Sequence, residues 1–226
     1  MLARAVGNYY SSHVLHRLWG EDVIRRAGGV AWLLQLYCHP NAVEARNRKV
    51  LAMASGLTPD EMVALWEEHI KYEFETRNTD ETLETMVEDA YVNHIPTLTG
   101  GYGKSLLGSF YSQHFIPKMP ADTGMVSVSR TVGADQLVDE LVFSFTHDIQ
   151  MDWMLPGVAP TGKHVRIPLV AIVEFRDRKL AHEHIYWDQA SVLVQIGLLD
   201  GSNLPVLGSI TADKVLDPSI KPTELD

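Results

Sequence analysis

The spacing of apolar residues changes period once along the chain, near Pro120, and this change constrains the fold more than any motif does. Before it, apolar side chains recur at helical intervals. In "LTPDEMVALWEEHIKYEFETRN", Met62, Leu65, Trp66, His69, Ile70 and Phe74 fall on one stripe. Thr58 as N-cap, Pro59 at the first helical position and the acidic pair Asp60-Glu61 mark where that helix starts. "NAVEARNRKVLAMAS" reads as a helix before it, stopping at Gly56. "DETLETMVEDAYVNHIP" reads as a third helix from near Asp80 to about Tyr91, and "GGYGKSLLGSFYSQHFIP" as a fourth, entered through a glycine-rich loop. After Pro120 the period falls to two. "GMVSVSRTVG", "QLVDELVFSFTHDIQMDWM", "HVRIPLVAIVEFRD" and "KLAHEHIYWD" read as four strands joined mostly by hairpin-length turns. "QASVLVQIGLLD" then reads as a short helix, and residues 201–226 as a Gly/Pro-rich tail. Helices first and an antiparallel meander second make an α+β fold, with the helices on one face of the sheet.

With 226 residues, the chain has room for one ordinary domain with extensions. A net charge of −10 disfavours sequence-independent nucleic-acid binding and electrostatic attachment to anionic lipid, both of which need a basic surface. No stretch reaches the ~18 apolar residues of a membrane span. Residues 1–20 lack the continuous apolar core of a secretory signal. Cys38 is the sole cysteine, so no internal disulfide forms, which fits a reducing cytoplasm. It has no nucleophile context and reads as a small buried residue. "GGYGKS" lacks the spacing of a phosphate loop.

The densest chemistry lies in "KLAHEHIYWDQAS". On a strand, His182, His184, Tyr186 and Asp188 share one face, while Ala181, Glu183, Ile185 and Trp187 share the other. The first set suits a polar-lined pocket. The second suits packing, with Glu183 its odd member. Across the turn, Glu174 falls near His182 and His184. Three readings stay open. In the first, Asp188 or Glu174 beside an imidazole moves protons, its pKa raised by an apolar pocket. Asp188 also stands where it would N-cap the following helix. In the second, His182-x-His184-x-x-x-Asp188 forms a two-histidine, one-carboxylate metal set, without the glycines that usually flank one. The third is structural histidines. Elsewhere, His94 in "YVNHIP" stands where a helix yields to a loop, as a functional residue or a helix cap, and His147 ends the "VFSFTH" strand, where pocket mouths often lie.

In order and spacing, Tyr91, His94 and Pro96, then Thr146-His147, Pro160 to Lys163, Phe175-Arg176-Asp177, Lys179 and Asp188 resemble the SnoaL-like polyketide cyclase branch of the nuclear-transport-factor-2-like superfamily. From His39 on, the chain resembles a subgroup labelled carboxymethylenebutenolidase through fusion to a dienelactone hydrolase domain; the G-x-C-x-G nucleophile motif of that hydrolase is missing here. The resemblance implies a cone: a curved antiparallel sheet with N-terminal helices enclosing a pocket, over residues 41–200, with 1–40 an unassigned extension and 201–226 a tail. It implies a homodimer and a cofactor-independent, metal-free cyclase, isomerase or hydrolase acting on a small carbonyl- or lactone-containing compound. Asp188 would be the general acid/base, tuned by His184 and Glu174. His94, His147, His182, Tyr186, Tyr91 and Asn93 would hold substrate. His182 and His184 replace a glutamate and a tryptophan of the family pattern. Tyr91-x-Asn93 matches part of an epoxide-hydrolase set, whose Arg-x-Asp is missing. A non-catalytic ligand-binding or dimerisation module is the other expectation.

Overall fold

The computed structural model describes residues 55–225. The expected extension, the helix over most of 41–55 and Cys38 lie outside the described residues. The first element is α1 (Pro59–Phe74), held at its start by a reciprocal capping box: the Thr58 amide donates to Glu61 at 2.8 Å and the Glu61 amide to Thr58 Oγ1 at 3.3 Å. Its buried face carries Met62, Trp66, His69 and Glu73. The short α2 (Thr79–Glu84) follows, capped by Asn78.

The chain then departs from the expected helix. Residues 86–94 form β1 (Met86–His94), and part of the glycine-rich loop forms β2 (Thr99–Tyr102). β1 has a place between two partners, antiparallel to β2 and parallel to the last strand, and this pairing outweighs the helix-forming glutamate, aspartate and alanine in "MVEDAYVNH". Gly100, at φ +135°, lets β2 close on β1; a Cβ there would sit 2.0 Å from the Val92 carbonyl oxygen. Next comes α3 (Lys104–Phe110), which continues into one wide π-type turn (Tyr111–Phe115) and a tight 3₁₀ turn (Ile116–Lys118).

β3 (Gly124–Val132), β4 (Gln136–Thr146), β5 (His164–Arg176) and β6 (Lys179–Trp187) form the expected meander. The β5–β6 hairpin turns on Asp177 and Arg178, both at positive φ, as a two-residue connection requires. One curled, unclosed sheet results, in the order β2-β1-β6-β5-β4-β3, antiparallel except for the β1–β6 pair. Alternation on β5 is strict: Val165, Ile167, Leu169, Ala171, Val173 and Phe175 face inward and are buried. The core fills the concave side, where α1 and the segment from α3 onward cover it. Outside the meander, α4 (Gln189–Gln195) follows β6, and α5 (Ile210–Leu216) rises from the tail and docks on β5 through an Arg166–Asp213 ion pair at 2.5 Å.

A buried carboxylate–imidazole cluster in the cone

The concave side encloses a cavity whose walls are nearly all aromatic and aliphatic, among them Phe74, Phe110, Phe115, Phe143 and Trp153. Its polar exceptions are Glu73, His94, Tyr111 and Glu183. Helix periodicity places His69 and Glu73 four residues apart on the buried face of α1. Strand alternation places Glu183 on the inner face of β6. Between them His69 Nε2 stands 3.2 Å from Glu73 Oε1 and 3.1 Å from Glu183 Oε1. All three are sealed from solvent, at 0 %, 4 % and 3 % exposure. Tyr111 Oη lies 3.4 Å from Glu183 Oε1 and 3.5 Å from His69 Nε2, and Trp66 stacks on the imidazole at 5.7 Å.

The hydrogen bonds fix the ring. Thr85 Oγ1 donates its only proton to the Thr82 carbonyl at 2.6 Å, so its 2.6 Å contact with His69 Nδ1 makes the imidazole the donor. Nε2 is therefore aimed at the two carboxylates. Burial alone would lower the pKa of His69; the charges of Glu73 and Glu183, and their hydrogen bonds, outweigh it and raise it to about 10. Burial raises the Glu73 carboxyl above its ordinary range, with His69 opposing. The Tyr111 hydroxyl is pushed up by burial and by both carboxylates, so it stays a donor at neutral pH. One cationic imidazole between two carboxylates gives a proton-sharing cluster on the wall of an apolar cavity. The same three side chains offer one ligand atom each, all within 4.8 Å of one another, and so also have the donor types for a divalent cation.

Of the residues expected from sequence to bind or react, His94 alone lines this cavity. It sits among Phe110, Phe115, Trp153 and Trp187, and its Nδ1 donates to the Thr99 carbonyl at 3.2 Å. Burial lowers its pKa to about 4 against the opposing charge of Glu183, so the ring is neutral at pH 7. The expected pairing of Glu174 with His182 is present, with Nδ1 and Oε2 3.2 Å apart, and the two residues are register partners. That pair, however, lies on the outer face of the sheet. There His182 stacks on His184 at 4.5 Å and on Tyr91 at 5.0 Å, and His184 Nε2 meets Tyr91 Oη at 3.1 Å. Tyr186 is exposed on the same face, and Asn93 is the register partner of His184.

The expected facing of β6 is thus reversed. Leu180 pairs with Phe175 and His182 with Glu174, so Ala181 is an extra, bulged residue. The bulge allows Leu180 and Glu183, three residues apart, both to face inward, and large apolar Ile185 and Trp187 follow Glu183. Asp188 is exposed and caps α4: its Oδ1 accepts from the Ala190 amide at 3.0 Å and its Oδ2 from Ser191 Oγ at 2.6 Å. His147 is buried beyond the end of β4, against Thr161 at 3.2 Å, away from the cavity lining. Sequence reasoning passed over His69, Glu73, Tyr111 and Glu183. Two signals were present: a His-x-x-x-Glu pair inside an apolar helical stripe, and a lone glutamate on an apolar strand face.

No family model matches the sequence, and no curated protein matches it. Solved structures do. AclR from Streptomyces galilaeus, a proposed hydroxylase, superposes with a TM-score of 0.50 at 18% identity, over 63% of this chain and 89% of AclR. TsrD from Streptomyces laurentii superposes with a TM-score of 0.50 at 14% identity, over 63% of this chain and 99% of TsrD. A proposed SnoaL-like polyketide cyclase from Jannaschia sp. CCS1 gives 0.47 at 19% identity, over 61% and 94%. The shared feature is the fold, an α+β cone.

Proposed function

We propose that the cone cavity is the active site of an acid/base enzyme. It moves a proton at a carbon next to a carbonyl in a small, largely apolar ketone or lactone, and so isomerises it or closes or opens a ring. The observation that carries this reading is one imidazole held between two buried carboxylates on the wall of an apolar cavity. Glu183 is the base, because it comes from the sheet floor and, among the described residues, its Oε2 has none of the contacts made by Oε1. It takes the C–H proton. The electrons move onto the carbonyl oxygen, which accepts a hydrogen bond from Tyr111. The contacts of Tyr111, at 3.4 and 3.5 Å, are long enough to re-aim on substrate. The proton then returns from Glu183 to another carbon or to oxygen. Glu73 and His69 hold the compensating proton, and Thr85 and Trp66 fix the imidazole plane.

The test is hydrogen–deuterium exchange into a panel of cyclic ketones and lactones in D₂O, followed by NMR. Glu183→Gln is expected to slow exchange by about 10²-fold or more, the range for loss of a general base. Wild-type exchange no faster than buffer across the panel would refute the reading.

A second reading places a divalent cation at the cluster. Favouring it are the Nδ1–H tautomer, which leaves Nε2 to a ligand, and an uncompensated charge: two carboxylates and one imidazolium sum to a negative site, which a doubly charged ion with neutral imidazole would cancel. Addition of Zn²⁺ or Mn²⁺ would then raise the melting temperature in wild type and not in Glu183→Gln. Equal melts with metal and with EDTA would remove this reading.

A further inference from the structure

On the wall of the same cavity, two polar groups are buried without an evident structural use. Trp153 is 2 % exposed and lines the cavity, and its indole N–H has no partner among the described residues. A buried donor left unpaired costs more free energy than most single contacts return, so it persists where a ligand completes it. Beside it, at a centroid distance of 5.1 Å, stands the His94 imidazole. Its Nδ1–H is committed to the Thr99 carbonyl, so Nε2 presents a lone pair. One turn holds both rings. Thr97 Oγ1 and Thr99 Oγ1 donate to the Trp153 carbonyl at 2.9 and 2.7 Å, while the Thr99 carbonyl accepts from His94. An unpaired donor and an acceptor therefore belong to neighbouring rings in surroundings that are otherwise aromatic.

We propose that the Trp153 indole N–H and His94 Nε2 together bind a hydroxyl group of the substrate, so that the site takes hydroxylated carbonyl compounds. A hydroxyl is the smallest group that satisfies both: its oxygen accepts from the indole and its proton goes to the imidazole. A bare carbonyl would leave His94 unpaired, and a carboxylate would repel its lone pair. Position sets the spacing. On the paired strands, Val92 is the partner of Glu183 and His94 that of Ile185, so His94 lies one strand across and one two-residue repeat along from the proposed base. With ~4.8 Å between strands and ~3.3 Å per residue, and hydrogen bonds of ~3 Å at each end, the hydroxyl falls about two or three bonds from the carbon that Glu183 faces.

This inference rests on the cavity being the substrate site, and the experiment separates the two. The full chain is titrated with cyclohexanone and with 3-hydroxycyclohexanone, observed at the Trp153 indole resonance in ¹H–¹⁵N spectra assigned through Trp153→Phe. The hydroxylated ketone is expected to bind about tenfold tighter and to move the indole proton downfield, the scale of one to two well-placed hydrogen bonds. In Trp153→Phe, and separately in His94→Phe, the ratio of the two affinities is expected to shrink to within about twofold. Equal binding with an unmoved indole resonance overturns the hydroxyl site and leaves the cavity reading standing. Binding of neither ketone overturns both. Because the wild-type titration compares two probes, it decides the matter even where a variant does not fold.

Discussion

Replacing Glu183 with glutamine removes one of the two charges on His69 while keeping the side chain's shape. The imidazole pKa, raised from 6.5 to about 10, corresponds to about 5 kcal/mol favouring the cation, at ~1.36 kcal/mol per unit. That is a net figure: the attraction of two carboxylates, at 3.1 and 3.2 Å, less the burial penalty. The distances are nearly equal, so each carboxylate supplies about half of the gross attraction. Glu183→Gln removes that half and leaves the penalty, so the net raise falls by more than half, about two units or more, to a pKa of about 8 or below. The consequence for stability has a definite sign. A histidine with a raised folded pKa contributes fully below about 6.5 and loses its contribution as pH climbs through the folded value. Wild type should therefore lose stability between about pH 6.5 and 10, and the variant should finish its loss by about pH 8. Long-range ¹H–¹⁵N spectra of the His69 ring across pH 5–11 measure the pKa directly, and urea melts over the same range measure the linked stability. A His69 pKa in the variant within about half a unit of wild type would refute the charge-sharing cluster.

Asp188→Ala is expected to cost about 1 kcal/mol in thermal or urea melts, the worth of a helix N-cap, and to leave deuterium exchange within about twofold of wild type. A large loss of exchange without a matching loss of stability would return Asp188 to the chemistry. Gly100→Ala is expected to lower stability by about 2 kcal/mol or more, because the new methyl group meets the Val92 carbonyl and the backbone there is left-handed; an unchanged melting temperature would contradict the β2 placement. Thr85→Val keeps the shape beside His69 but removes the acceptor that fixes its Nδ1 proton. It should lower the His69 pKa measurably in the same NMR titration, and a pKa identical to wild type would refute the tautomer assignment.

Alternation made β3 to β6 legible in the sequence, since a half-buried strand repeats every two residues wherever it lies. β1 was not legible. Its acidic and alanine residues favour a helix, and the partners that hold it as a strand arrive from residues 99–102 and 179–187. The pairing of Glu174 with His182 followed from the hairpin alone. The facing expected for β6 was the wrong one, although β5 announces it: Val173 belongs to the strictly apolar inward set, and Glu183 is its register partner. The cluster was least legible of all. His69 and Glu73 share a helix, but Glu183 is more than a hundred residues away, and only the closed cone brings it within 3.1 Å. Read on its helix, His69 is one more member of an apolar stripe.

The wide turn at residues 111–115 also bears on how the chain tolerates change in length. Phe110 and Phe115 are buried five residues apart, and so are Tyr111 and Ile116, whereas His114 points outward with half its side chain in solvent. An ordinary helix would repeat this face every three to four residues. Removing any one residue between Tyr111 and Phe115 would restore that ordinary count. Phe110 and Phe115 would then stand four residues apart, an ordinary helical spacing that keeps both on one face. The segment is therefore a place where the chain can lose one residue and keep its buried face, the wide turn giving way to ordinary helix.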